Sequence, residues 1–209
     1  MASKEDLLRA AVDEAIGAIP VIKDYGWPDQ AELAVIDSVL SIRANYGNRT
    51  TTGVVPRVRA YAKDRGACND LGRLATTPRD DVLAALDTVQ RSSGRLKVDL
   101  IIEVAGALAS IGVVHAADVK PGDPSQRQAW CGVHGLGEVT WEYFGMLLGR
   151  PGVKADVMIK RFVGTVVGGT VGSQEAGRLI KAVAASRNAK ASDLDHAIWR
   201  YQRGQGSRT

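Results

Sequence analysis

Ser125 to Val163 reads SQRQAWCGVHGLGEVTWEYFGMLLGRPGVKADVMIKRFV. A helical run ending near Gly132 and Val133 meets a tight Gly135-Leu136-Gly137 turn, and a second apolar helix follows from about Glu138 to Leu148. Asp156 then opens a third helix, so the stretch predicts a helix-hairpin-helix followed by a loop-borne carboxylate. Glycines in the turn let one backbone approach another closely, and the first amides of the following helix point outward without partners, which suits a phosphate. Gly135, Leu136 and Gly137 are therefore the expected backbone-binding group, and a nucleic-acid strand is the expected partner.

Length and composition set the bounds. With 209 residues, 45% apolar content and 24% charge, the chain is able to bury a sizeable core in one unit or in two interlocked lobes. It carries no apolar run long enough to cross a bilayer, so no membrane partner is expected. MASKEDLLRAAVDEAI sets acids beside its apolar positions, unlike a secretory leader, which makes the cytoplasm the expected location. Cys68 and Cys131 are far apart and lack the Cys-x-x-Cys spacing of a zinc site or disulfide framework. His115, His134 and His196 are scattered without acidic or Cys neighbours, so no side-chain metal site is expected. The net charge of +4 is unevenly spread. Residues 1–35 hold three Lys/Arg against seven Asp/Glu, a balance of −4, whereas residues 150–209 hold eleven against four, a balance of +7. That asymmetry favours an anionic partner for the later part of the chain, though a basic surface is also an ordinary solvated face.

Helical periodicity dominates elsewhere. Leu7, Leu8, Ala11, Val12, Ala15 and Ile16 predict an amphipathic helix from Glu5 to about Ala18. A second is expected to start at Pro28 and run to about Ala44, and a third to open near Val55 and Pro56. Thr77 is the expected N-cap of a fourth, with Pro78 at its first position. SSGRLKVDLIIEVAGALASIGV reads as one long apolar helix, a break is expected near Gly168 and Gly169, and RGQGSRT reads as a frayed tail. Strand alternation and internal repeats are not evident, so the expected class is all-α.

Several of these stretches resemble one family. GLGEVTW looks like the hairpin of the helix-hairpin-helix DNA glycosylase superfamily, which usually runs Gly, an aliphatic, Gly, two variable residues, Thr and Ala; Thr140 matches its Thr, which adds Thr140 to the expected backbone-binding group, and Trp141 departs from it. KADVMIKRF is similar to the segment that carries the superfamily's catalytic aspartate, closer to the 3-methyladenine glycosylase II branch than to the endonuclease III branch, and the match falls on Asp156. The Asp-Thr-His triplet of the latter branch is replaced by Asp156-Val157-Met158. Gly94, Arg95, Lys97 and Val98 resemble the lead-in to the helix before the hairpin, and the Leu-Asp-x-x-x-Trp core of ASDLDHAIWRYQRG resembles the closing helix. Leu40, Ser41 and Arg43 look like the Leu-Ser and following polar side chain that enters the duplex, which makes Arg43 the expected wedge. The alternative for Arg43 is a basic residue in a last helical turn, complementing the helix dipole.

The resemblance, from about Leu33 to Tyr201, implies an all-α, two-lobed helical bundle: a hairpin lobe over about 36–148 and a second lobe made of the N-terminal helix and about 149–203. It also implies a monomer that binds double-stranded DNA. Endonuclease III relatives often hold an iron–sulfur cluster on four closely spaced cysteines near the C-terminus, and no cysteine follows Cys131, so no cluster is expected. Bifunctional members use a lysine two residues after the second hairpin glycine, where this chain has Val139. The implied activity is thus a monofunctional glycosylase that leaves an abasic site.

The chemistry suits a carboxylate. Breaking an N-glycosidic bond builds positive charge on the sugar, which a fixed carboxylate opposes while orienting water. Asp156 is the expected catalytic residue, although an Asp at a helix start is also an ordinary N-cap. A flipped base needs an aromatic or apolar pocket. Trp27 and Tyr46, in loops, are the expected walls, whereas Trp130 and Trp141 flank the hairpin at positions that suit the core. No cofactor is expected beyond a monovalent cation shared by hairpin carbonyls. The competing readings are a catalytically silent helix-hairpin-helix DNA-binding protein and an unrelated helical scaffold with an accidental Gly-Leu-Gly turn.

Overall fold

The computed structural model describes residues 2–22, 25–44, 53–63, 65–120 and 122–206. These residues are mostly helical, and the class is all-α. The chain divides into two compact units, one of residues 26–150 and one of 1–25 with 151–209.

The first unit is built on α2 (Ala31–Leu40), in which every residue is buried. AELAVIDSVL is apolar around its circumference, and such a helix is stable only with neighbours on all sides. Those neighbours include α3 (Val54–Ala62), α4 (Leu71–Thr76), α6 (Lys97–Ala109) and α8 (Glu138–Leu147), with α5 (Arg79–Leu86) and α7 (Pro124–Cys131) packed outside them. Two acids are carried into this interior, and both are paired. Glu32 accepts hydrogen bonds from Tyr61 Oη at 2.9 Å, the Asp70 amide at 3.0 Å and Arg73 Nη2 at 2.5 Å. Asp37 accepts from Trp27 Nε1 at 2.8 Å. Burial, with the negative charge of Glu32 beside it, raises the Tyr61 hydroxyl well above its ordinary range, so it stays a donor.

Several boundaries differ from the sequence reading. α2 starts at Ala31 rather than Pro28, because Asp29 adopts a left-handed φ of 58°. The Ala31 amide is then capped by Asn69 Oδ1 at 3.1 Å, from far along the chain. α2 also ends at Leu40 instead of reaching Ala44. α4 was not expected from the sequence; Asp70 caps it by accepting the Arg73 amide at 3.0 Å. Thr77 is not the N-cap of α5: its hydroxyl donates backward to Arg73 O at 2.8 Å, and Pro78 takes the cap position. The long helix expected from Ser92 begins only at Lys97, because Arg91–Ser92 (β1) and Arg95–Leu96 (β2) pair antiparallel. Ser93 and Gly94, with φ of 51° and 80°, form the tight two-residue turn that such a hairpin needs.

Gly26 and Leu147, at the two ends of this unit, meet closely. Gly26 has φ of +82°, and a Cβ there would lie 2.3 Å from Leu147 O. The same carbonyl accepts the Trp27 amide at 2.6 Å. Gly26→Ala should therefore cost about 2–3 kcal/mol through strain and the displaced backbone, read as a lower denaturant midpoint at unchanged slope. A midpoint within experimental error of wild type would contradict this.

The second unit packs α1 (Lys4–Ala15), α9 (Val157–Val167), α10 (Ser173–Ser186) and α11 (Ala191–Gly206) around Leu8, Val12, Ile159, Val163, Leu179, Ile180 and Leu194. Ser3 and Asp6 close a capping box on α1. Surface ion pairs run from α1 to α10, Lys4 with Glu175 at 2.6 Å and Arg178 with Glu5 at 2.8 Å. α9 stops at Gly168, whose φ is +77°. α11 continues through Gly206, so the start of the expected tail is helical.

Candidate functional site

α7 begins with Asp123 accepting the Ser125 and Gln126 amides and Pro124 in the first turn, a start that needs no distant partner. Between α7 and α8 the chain reverses over residues 132–137. The Leu136 amide donates to Val133 O at 3.0 Å, and Gly135 takes φ of +103°, which disfavours a side chain. Thr140 clasps the turn: its hydroxyl donates to Gly137 O at 2.7 Å and accepts from the Gly137 amide at 3.0 Å. Trp130 Nε1 donates to the same hydroxyl at 2.9 Å. An Arg127–Glu138 ion pair adds a second tie between the helices. Beneath the turn Trp130 stacks on Phe144, with centroids 4.8 Å apart, and Trp141 leans on both. Trp130 and Trp141 are buried, as core residues are.

The sequence reading assigned phosphate binding to Gly135, Leu136, Gly137 and Thr140. The Leu136 and Gly137 amides and the Thr140 hydroxyl are already engaged within the turn. The Glu138 and Val139 amides, first in α8, have no acceptor among the described residues, and glycine at the N-cap leaves them without a side chain over them. Both residues are partly exposed.

Asp156 is the N-cap of α9 and is half-buried. Its Oδ1 accepts the Met158 amide at 2.8 Å and the Ile159 amide at 3.3 Å. No hydrogen bond to Oδ2 is formed among the described residues, so Oδ1 alone anchors the carboxylate. Asp195, on α11 in the same unit, is 6% exposed, and its Oδ1 has no hydrogen-bond partner among the described residues. Burial pushes the Asp195 carboxyl well above its ordinary range, and the negative charge of Asp156 pushes it further; the charge and backbone amide of Lys154 pull the other way.

Arg43 is exposed, with φ of 50°, three residues beyond the end of α2, so it is not part of a last helical turn. Lys97 braces this segment: its buried Nζ donates to Leu40 O and Ile42 O, each at 2.7 Å, and to Gln90 Oε1 at 2.8 Å. Trp27 is partly buried, held by its indole bond to Asp37. Tyr46 lies outside the described residues. Trp27, Arg43 and the turn of residues 132–137 belong to the unit of residues 26–150, and Asp156 to the other. Sequence reasoning missed the brace at Lys97 and the buried acids Asp37 and Asp195; an acid set among Leu194, Ala197 and Ile198 was the one available signal for Asp195. Among the described residues no group of three or more His, Cys, Asp or Glu is arranged to hold a metal ion, and no helix is long and apolar enough to cross a membrane.

The chain belongs to a family whose model, described as a domain of unknown function (DUF8548), matches residues 7–203. No curated protein matches it.

Proposed function

We propose that this protein is a monofunctional DNA glycosylase of the helix-hairpin-helix type, which hydrolyses the N-glycosidic bond of a damaged or modified base flipped out of duplex DNA. The observation that carries the reading is the Asp156 carboxylate, fixed at the start of α9 through Oδ1 with Oδ2 left over. In the proposed reaction Oδ2 faces the sugar as the bond to the base breaks, opposes the developing cation and orients the attacking water. The base leaves and an abasic site remains. Val139 stands where a lysine would form an imine, so no covalent intermediate is part of the scheme.

DNA is anchored in this reading by α7, the turn and α8 as a helix-hairpin-helix. A backbone phosphate is taken by the Glu138 and Val139 amides at the positive end of α8, with a monovalent cation shared by hairpin carbonyls adding charge at the same point. Arg43 enters the duplex as the wedge, and Trp27 lines the base pocket. The left-handed backbone at Arg43 supports this role, because a non-glycine residue there costs of order 1–3 kcal/mol and such outliers cluster at functional sites. Localisation in the cytoplasm and a monomeric state complete the proposal.

The anchor is tested by Gly137→Asp. Gly137 has φ of −169°, an extended backbone open to any residue, and a Cβ there meets nothing within 4 Å. The variant should fold while its carboxylate caps the α8 amides and repels a phosphate. Duplex affinity should fall about tenfold or more, the size of a lost charge-assisted hydrogen bond, and wild-type affinity should drop steeply with salt. Unchanged affinity in the variant, or binding indifferent to salt, would remove the hairpin from the binding surface.

A further inference from the structure

We propose that Asp195 is a positioning residue for Asp156: it stays a neutral carboxyl beneath the start of α9 and turns its proton toward the Asp156 carboxylate, so that the two acids act as a pair bearing one negative charge. The pair follows from the unit's own packing; its role in base release rests on the glycosylase reading above.

An ionised Asp195 would leave a fully buried oxygen without any donor, a cost that native interiors avoid. A protonated Asp195 converts that orphan acceptor into a donor, and its neighbour Asp156 is an acceptor with an oxygen to spare. The charges that act on Asp195 are those of Asp156 and Lys154. Lys154, just ahead of α9, contributes its amide and part of its charge. Glu175, Arg178 and Arg187 of α10, and the segment after it, pair with Lys4, Glu5 and Asp13 around α1. Asp193, on α11 itself, accepts the Ile22 amide at 3.4 Å, and His196 stacks on Trp199. Two carboxylates that share a site do not both ionise readily, and the one more cut off from water holds the proton.

The consequences are separable from catalysis. The folded chain binds a proton at Asp195 that the unfolded chain, with its ordinary value of 3.8, releases. Stability from this group is therefore lost as pH rises from about 4 toward the raised folded value. Asp195→Asn keeps an oxygen for the Lys154 amide and an N–H group toward Asp156, imitating the neutral acid with no proton to lose.

The experiment is a carboxyl-carbon NMR titration of wild type, Asp156→Asn and Asp195→Asn, with thermal midpoints of wild type and Asp195→Asn across pH. Wild type should show one carboxyl titrating well above the ordinary range; Asp156→Asn should move it down, and Asp195→Asn should abolish it. The Asp195→Asn midpoint should gain on wild type as pH rises above about 4, and the gain should level off once pH passes the raised folded value. Ordinary titration of every carboxyl, an elevated one unmoved by Asp156→Asn, or a midpoint difference constant with pH would each overturn the pair. Base release adds a separate readout: Asp195→Ala, which removes the donor to Asp156, should lower it and Asp195→Asn should rescue it, whereas equal rates in the two variants would overturn the positioning role. Should the titrations come out as expected while wild type releases no base, the pair stands and the glycosylase reading fails.

Discussion

If the proposed glycosylase reading holds, Asp156→Asn should lower base release by 10²-fold or more, about 3 kcal/mol of lost transition-state stabilisation, and should leave the protein folded and able to bind duplex DNA. The expectation follows from how Asp156 is held. Asparagine keeps an oxygen to accept the Met158 and Ile159 amides, so the start of α9 survives with little loss. The negative charge that, in the proposed reaction, opposes the sugar cation is lost. A residue serving only as a cap would tolerate the change, because the capping geometry is unaltered. Measured as single-turnover release from a substrate duplex, with circular dichroism and affinity as controls, a near-wild-type rate in the variant would move the chemistry to another residue.

Trp130→Ala should destabilise the unit of residues 26–150 by about 3–5 kcal/mol, the usual range for emptying a large aromatic site. Trp130 is 0% exposed and stacked on Phe144 at an interplanar angle of 17°. Its loss removes the indole bond that steadies Thr140, and with it part of the clasp on Gly137. Duplex binding should therefore weaken even under conditions where the variant remains folded. Trp130→Phe should recover much of the stability but not the Thr140 bond. Chemical denaturation of both variants measures this, and a cost below about 1 kcal/mol for Trp130→Ala would mean that the aromatic stack does not hold the hairpin helices together.

What the sequence made legible is what local chemistry decides. The Gly135–Gly137 turn, the Asp156 cap, the α1 periodicity and the stop at Gly168 all depend on residues within a few positions of one another. The features it concealed depend on distant partners. The start of α2 is capped by Asn69, and α4 is steadied where the Leu71 amide donates to Val114 O at 2.9 Å. Glu32 reads as a helix-start acid, yet it is buried because Tyr61, Asp70 and Arg73, from 29 to 41 residues away, converge on it. Asp195 is hidden for the same reason, since its environment is supplied by residues 154–156. Among the candidate site residues, Asp156 could be found from its own surroundings. The amides of Glu138 and Val139 could not be preferred over those of the hairpin glycines until the Thr140 clasp was known.

Incubating the wild-type protein with a panel of duplexes, each carrying one alkylated, deaminated, oxidised or mismatched base, measures the central claim most directly. The account predicts that at least one duplex loses its base and that strand breaks appear only after alkali, as a monofunctional enzyme requires. Tight, salt-sensitive binding across the panel with no base released from any duplex would contradict it and make the protein a catalytically silent DNA-binding one.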